Sequence, residues 1–231
     1  MLKCRFCKGL CVKNGKDSIG VQKYKCNGCG KNQREAYRYR AYVLDLEKEI
    51  VKCIRNGVGM RGMSNITEVS VNTLKKRILS MSKNLNSGII PMGKTYQVDE
   101  LKTYISNKKN ECWVAYAYCE ETKGVVDIAV GRRTNKVLKR LIETLVLSEA
   151  KKIKTDKLNN YQSLVPKELH VVKSFGINHI ERKNLTLRTH IKRLSRKTIC
   201  YSKSLAMLQA IVKIYFWSGN IKEGDANRIA A

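Results

Sequence analysis

Thr95-Tyr96-Gln97-Val98-Asp99-Glu100-Leu101, Cys112-Trp113-Val114-Ala115-Tyr116-Ala117-Tyr118 and Val125-Val126-Asp127-Ile128-Ala129-Val130 are three short runs rich in β-branched and aromatic residues. With the polar break Asn107-Lys108-Lys109-Asn110 between the first two, they predict three consecutive strands joined as an antiparallel meander. Downstream, Asn135 to about Ala150 carries Val137, Leu138, Leu141, Ile142 and Leu145 at helical spacing. A strand over Lys152–Asp156, a helix near Asn160, a strand over Leu169–Val172 and a helix holding Glu181 follow, and Ser202 to about Trp217 adds an apolar helix. The order β-β-β-α-β-α-β-α describes an α/β domain built on a mixed sheet.

That order makes the first and fourth strands central neighbours, so Asp99 and Asp156 share one rim of the sheet. Glu181 is the only acidic residue between Glu168 and Glu223, in a stretch dense with lysine and arginine. A carboxylate there repels the phosphates its neighbours attract, unless it holds a metal ion against them. Asp99, Asp156 and Glu181 together would supply the oxygen ligands that two magnesium (or manganese) ions need for phosphodiester chemistry. Asn184, Arg188 and Lys192 fall near whole turns from Glu181, while Leu187, Ile191 and Leu194 form the buried stripe. Two alternatives stay open at this point. Asp156 could serve as a plain helix cap, and Glu100 could replace Asp99, since neighbouring strand residues face opposite ways. His179 could order the site, although a packing histidine is the commoner case. Tyr161 lacks the arginine–histidine surroundings of a covalent nucleophile.

Upstream of a linker (87–94), residues 41–86 read as three helices. Val43 to Ile54 places Leu46, Ile50 and Ile54 at four-residue steps, Gly57 and Gly59 end it, and Met60 to Ile66 forms a shorter piece. Ser70 then caps Val71 to Leu79. Three helices with short turns, the last one basic, match a helix-turn-helix. Asn72, Thr73, Lys75, Lys76 and Arg77 would face DNA, and Val71, Leu74 and Ile78 the core. A generic three-helix bundle has the same pattern.

Residues 1–40 hold Cys4-Arg5-Phe6-Cys7 and Cys26-Asn27-Gly28-Cys29, with eighteen residues (8–25) between the pairs. Two Cys-x-x-Cys knuckles at that spacing place four thiolates around a structural zinc ion. A redox dithiol would show a single pair before a helix. Gly9, Gly28 and Gly30 suit the knuckle turns, and Val21 to Lys25 alternates like a strand. Cys11 is a spare thiol; Cys53, Cys112, Cys119 and Cys200 fall in apolar patterns and read as small buried hydrophobes.

With 46 Lys and Arg against 19 Asp and Glu, the 231-residue chain carries a net charge of +27. A charge that large points to polyanions, double-stranded DNA first. No apolar run approaches the ~18 residues of a spanning helix, and the first residues lack the apolar core of a signal peptide. The expected location is the cytoplasm, without membrane association.

The residues also resemble a known family, the DDE transposases of the insertion-sequence-one type from prokaryotic mobile elements. The resemblance rests on the double knuckle, Asn56-Gly57-Val58-Gly59, Val98-Asp99-Glu100, Thr155-Asp156, and above all Ile180-Glu181-Arg182-Lys183-Asn184-Leu185-Thr186-Leu187-Arg188 through Arg193-Leu194-Ser195-Arg196-Lys197-Thr198. It implies an RNase H-like catalytic domain (95–218), catalytic and magnesium-binding Asp99, Asp156 and Glu181, and a variable tail (219–231). It further implies recognition of terminal inverted repeats and target DNA by a homodimer or larger assembly, and nucleoid association when bound. The implied chemistry is hydrolysis at the 3′ end followed by strand transfer. Arg182, Lys183, Arg188, Lys192 and Arg193 would hold the DNA backbone. The chain departs from the family at Lys157, where glycine is common, and at Leu158-Asn159-Asn160, which replaces a tryptophan-proline pair. A non-enzymatic zinc and helix-turn-helix regulator, or a structure-selective nuclease of the same fold, would share most of these features.

Overall fold

Alternation of apolar residues decides where this chain forms sheet, and the partners of each strand decide what the sheet carries. A computed structural model describes residues 2–34, 39–42, 45–172 and 178–220. Strands β1 (Cys11–Lys16), β2 (Gln22–Cys26) and β3 (Asn32–Arg34) form a small antiparallel sheet. Three helices follow, α1 (Leu46–Arg55), α2 (Met60–Thr67) and α3 (Val71–Asn84). The expected first helix starts at Leu46; Val43 and Leu44 lie outside the described residues. Ser70 caps α3 as anticipated, its side chain accepting from the Thr73 N–H at 3.3 Å.

The second half runs β4 (Thr95–Tyr104), β5 (Glu111–Cys119), β6 (Gly124–Gly131), α4 (Asn135–Leu147), β7 (Lys152–Thr155), α5 (Asn159–Leu164), β8 (His170–Val172), α6 (Asn178–His190) and α7 (Leu205–Trp217). The expected β-β-β-α-β-α-β-α order is the order formed. The five strands lie as β6-β5-β4-β7-β8. β4, β5 and β6 pair antiparallel, and β7 and β8 add in parallel.

Each face of this sheet buries a separate core, because alternate residues of a strand point to opposite sides. Tyr96, Val98, Ala115 and Ala117 face α4, against Leu138, Leu141, Ile142 and Leu145. Leu101, Val114, Tyr116 and Tyr118 face the other way, toward α6 and α7. Helix α7 is apolar except for Gln209 and Lys213, one turn apart, and buried on most sides, with Leu208, Val212 and Ile214 fully enclosed. Its outer side takes α1 and α3, so Ile50, Leu74 and Ile78 belong to the same core as the sheet face. The helical unit and the sheet are thus joined by shared packing. The segment between them is pinned too: a Cβ on Gly88 would lie 3.0 Å from the Trp217 indole nitrogen.

Helix α6 stops earlier than its residue spacing suggested. At Ile191 the backbone turns extended, and Lys192–Leu194 form one 3₁₀ turn. Leu187, Ile191 and Leu194 are buried as expected, but Lys192 is not on the α6 face that carries Glu181. Among the described residues no helix is long and apolar enough to cross a membrane.

Candidate functional site

Asp99 lies midway along β4, opposite Tyr116 of β5. The parallel pairing of β4 with β7 sets Gln97 against Lys154, and the same register carried two residues on brings Asp156 level with Asp99. Asp156 follows the last residue of β7, and its Oδ1 accepts the Leu158 N–H at 3.1 Å. It is not the cap of α5, since that position belongs to Leu158.

Neighbouring Glu100 faces the α4 side and is fully engaged there. The Tyr161 hydroxyl donates to its Oε1 at 2.9 Å, and Arg133 Nε donates to its Oε2 at 2.6 Å. Arg133 in turn lies over the Trp113 ring, 4.4 Å from the centroid. Burial pushes the Tyr161 phenol well up, with Glu100 adding to the effect; the side chain is enclosed and its hydroxyl is committed to Glu100.

Asp99 turns to the α6 side, where its carboxylate meets the helix of Glu181. Asn184 Nδ2 donates to Asp99 Oδ2 at 2.5 Å, and the Glu100 N–H donates to Oδ1 at 2.6 Å. Asn184 is itself fixed by Tyr116, whose hydroxyl donates to Asn184 Oδ1 at 2.7 Å. Burial pushes the Asp99 carboxyl above the usual range and the Asp156 charge adds to this, against lowering by the Glu100 N–H, Asn184 and Arg188. Arg188 is partly buried, and its Nε has no hydrogen-bond partner. A half-buried carboxylate beside a second one, with one guanidinium as the nearby positive charge, is a donor set that suits a hard divalent cation. The carboxylate oxygens of Asp99, Asp156 and Glu181 do not all converge within 4.8 Å; among the described residues only four cysteines do.

Glu181 sits in the first turn of α6 and is solvent-exposed, between buried Ile180 and the buried Leu187 one turn and a half on. Ile180 and Leu187, both fully enclosed, anchor the helix. His179 is exposed and lies beside Tyr118, the rings nearly parallel with centroids 6.3 Å apart.

The residues expected to touch DNA divide into two groups. Asn72, Lys75, Lys76, Arg182 and Lys192 are exposed, and Lys183 and Arg188 are partly so. Thr73 shares hydrogen bonds with Tyr39 and Ser70. Arg77 is turned inward, donating to the Ala41 carbonyl at 3.1 Å and lying 3.6 Å from Glu47. Arg193 is also committed to the fold: its guanidinium bonds Ser202 Oγ at 3.1 Å, and its carbonyl accepts from Thr103. These two arginines, each partly exposed, are engaged in holding elements together and are less free to meet DNA than the exposed lysines. Tyr116 and Gln97 were not identified from the sequence, because a polar group on a strand does not announce its partner on a distant helix.

At the other end of the chain Cys4, Cys7, Cys26 and Cys29 bring their sulfurs within 4.8 Å of one another. Cys4 and Cys29 are 3.6 Å apart, and Cys7 and Cys26 3.4 Å, both far beyond a disulfide bond. The Phe6 N–H points at Cys4 Sγ and the Cys29 N–H at Cys26 Sγ. The Cys29 N–H leads the effects that hold the Cys26 thiol down at about 6. A Cβ on Gly9 would stand 3.3 Å from Cys7 Sγ and 3.4 Å from Cys26 Sγ, so a side chain there would crowd the thiols. Four convergent thiols with amide donors fit one tetrahedral zinc ion. Cys11 is buried beside them, its thiol pushed up to about 11 by desolvation and by Cys26 and Cys4.

Residues 95–220 match the family model described as IS1 transposase. The insertion element iso-IS1n protein InsB of Shigella dysenteriae is 35% identical over 116 residues, 50% of this chain and 88% of that protein. The insertion element IS1 protein InsB of Shigella flexneri is 35% identical over 126 residues, 54% of this chain and 94% of that protein. Among solved structures, the HTLV-2 integrase catalytic core domain in complex with magnesium is a loose likeness. Its TM-score is 0.35 at 16% identity, over 55% of this chain and 85% of that one.

Proposed function

Because this chain belongs to the IS1 transposase family, we propose that it is a DNA transposase with an RNase H-like catalytic domain. In this reading it hydrolyses the 3′ ends of its element and joins them to target DNA. One observation carries the proposal. The parallel register of β4 and β7, Gln97 against Lys154, carries Asp156, just past the end of β7, toward Asp99 on β4, close enough for its charge to act on the Asp99 carboxyl; the helix that bears Glu181 is hydrogen-bonded to Asp99 through Asn184. Asp99, Asp156 and Glu181 are the residues that would hold magnesium or manganese, two ions being the number such chemistry uses. Bound there, divalent cations supply Lewis-acid activation of the attacking oxygen and neutralise charge at the scissile phosphate.

The protein's own groups do the rest of the work. Asn184 and the Glu100 N–H hold Asp99 in one orientation, so that its free lone pairs face the rim. Arg188 is partly exposed and would bring its charge to a phosphate oxygen through the outer part of its guanidinium. Exposed Arg182 and Lys192, with Lys183, line the approach and hold the backbone without reading its sequence. At the other end, α2 and α3 form a helix-turn-helix in this reading, with Asn72, Lys75 and Lys76 toward the terminal inverted repeat. A zinc-bound knuckle over residues 2–34 extends that grip. Acting on both element ends at once calls for a homodimer or larger assembly on DNA, at the nucleoid.

The test is incubation of the full chain with labelled duplex from the element's ends, with magnesium or manganese. Joined strands are the expected product. Hydrolysis without joining would assign a nuclease, and binding without cleavage a regulator.

A further inference from the structure

One partly buried polar chain touches the two strands and the helix that carry or lead into the three carboxylates. Gln97 lies on β4 two residues before Asp99 and therefore on the same face of the strand. Lys154 lies on β7 two residues before Asp156, and it is the register partner of Gln97. Ile180 directly precedes Glu181 in the first turn of α6. Glu120, just past the end of β5, joins them. Lys154 Nζ donates to Glu120 Oε1 at 2.6 Å and to Oε2 at 2.7 Å. Gln97 Nε2 donates to the same Oε1. Gln97 Oε1 accepts the Ile180 N–H at 3.1 Å.

The chemistry of each link explains why these residue types serve. The N–H groups in the first turn of a helix have no partner inside the helix. Ile180 is fully buried, so water cannot satisfy its amide, and an unpaired buried donor is costly. A glutamine can accept that N–H with one end of its amide and donate with the other. Gln97 is 1% exposed, so its donor end also needs an acceptor, and Glu120 provides one. Lys154 then compensates the Glu120 charge in a partly buried setting, where charge-assisted hydrogen bonds are stronger and shorter than neutral ones. Every link is directional, so the start of α6 cannot slide along the sheet without breaking one.

We propose that Gln97, Glu120 and Lys154 are positioning residues of the catalytic centre, a clamp that fixes Glu181 on α6 relative to Asp99 and Asp156 on the neighbouring strands. None of the three touches the reacting atoms; they act through the backbone they hold. The inference rests on the reading of Asp99, Asp156 and Glu181 as the metal-binding set.

The experiment uses the full chain with the near-isosteric Gln97→Met, which removes both amide functions, and with Lys154→Met and Lys154→Arg. Three quantities are measured: Mn²⁺ affinity of the DNA-free protein by electron paramagnetic resonance, kcat and KM on duplex from the element's end, and melting temperature. Gln97→Met is expected to weaken Mn²⁺ binding about 10-fold, the usual cost of losing a group that orients a metal ligand. It should lower kcat on the order of 10- to 100-fold, as small misplacements do, with KM little changed. Lys154→Met moves the same quantities less, and Lys154→Arg restores them. If Gln97→Met does not fold, the two Lys154 variants decide alone. Wild-type Mn²⁺ affinity and kcat in the folded Met variants, with only a lower melting temperature, would overturn the clamp. Asp99→Asn separates the two levels. If it abolishes cleavage while the clamp variants behave as wild type, the clamp alone falls; if it leaves cleavage intact, the metal-site reading and the clamp fall together.

Discussion

Gly57 closes α1 at φ +69, and a Cβ built there would stand 2.7 Å from the His190 carbonyl oxygen. His190 is the last residue of α6, so the glycine sits where the helical unit meets the helix of Glu181. Replacing it by alanine carries two separable costs. The left-handed backbone costs a non-glycine residue about 1–2 kcal/mol. The contact requires two backbones to part by several tenths of an ångström, and overpacking of that kind costs about 1–3 kcal/mol. Together they come to about 2–5 kcal/mol, a large share of the ~5–15 kcal/mol of a folded domain. For a chain of this size the melting temperature should fall by roughly 5–15 °C. Gly93→Ala isolates the first cost: Gly93 has φ +63, and a Cβ there would meet nothing within 4 Å, so it should lose only about 1–2 kcal/mol. Scanning calorimetry on the two variants measures the difference directly. If Gly57→Ala costs no more than Gly93→Ala, the close approach of α1 to the end of α6 is not a constraint on the fold. The reasoning that joins the two units there would be refuted.

Four further outcomes follow from the site. Glu181→Gln should bind element-end DNA as the wild type does and cleave none of it, whereas retained cleavage removes Glu181 from the reaction. Chelation of zinc should unfold residues 2–34, whose core is only Cys4, Cys11 and Cys26 with Leu2, Phe6 and Tyr24 packed on it; so small a core needs a metal. A folded knuckle with four titratable thiols, seen by thiol counting beside circular dichroism, would sink the zinc assignment. Asp99 has a raised carboxyl in the fold, so its stabilising contribution is fully present below the ordinary value of ~3.9 and is lost as pH rises through the folded value. Asp99→Asn should therefore melt higher than wild type at neutral pH in metal-free buffer; an equal or lower melting point contradicts the assigned burial. Arg77→Ala leaves the mostly buried Glu47 carboxylate without its ion pair and should cost about 1–3 kcal/mol. Lys75→Ala should instead leave stability unchanged and flatten the salt dependence of DNA binding. The reverse pattern would return Arg77 to the DNA face.

The strands and helices were legible because their signals are local. Alternation over Val98 to Leu101 and the four-residue steps of α1 are properties of neighbouring residues, and both survive in the structure. What was not legible depends on partners far away in the chain. Helix α7 is apolar on all but the narrow strip of Gln209 and Lys213, which says that it is buried but not by what. That α1 and α3 cover it, and so share a core with the sheet, is a tertiary fact. The same limit applies to charge. Lys75 and Arg77 look alike as cations on a helix, yet one is open to solvent and the other is spent on Glu47 and Ala41. The break at Ile191 was equally hidden, since the buried stripe of Leu187, Ile191 and Leu194 continues through it.

The choice between Asp99 and Glu100 turns on what each carboxylate meets. Alternation says only that the two face opposite ways. Which one faces the third carboxylate depends on what waits on each side. On the α4 side Tyr161 and Arg133 supply a hydroxyl and a guanidinium, and these saturate Glu100. A carboxylate so held has its charge already compensated, and drawing it away to a metal would leave the buried Tyr161 hydroxyl without an acceptor. On the α6 side Asn184 offers Asp99 a neutral amide, which orients the carboxylate without cancelling its charge. Asp99, with no ion-pair hydrogen bond of its own and only Arg188 acting on it through space, is the carboxylate that faces the helix of Glu181. The lone acidic residue of the basic stretch therefore acquires its partner through Asn184, one turn along the same helix, a residue whose importance only the opposite strand reveals.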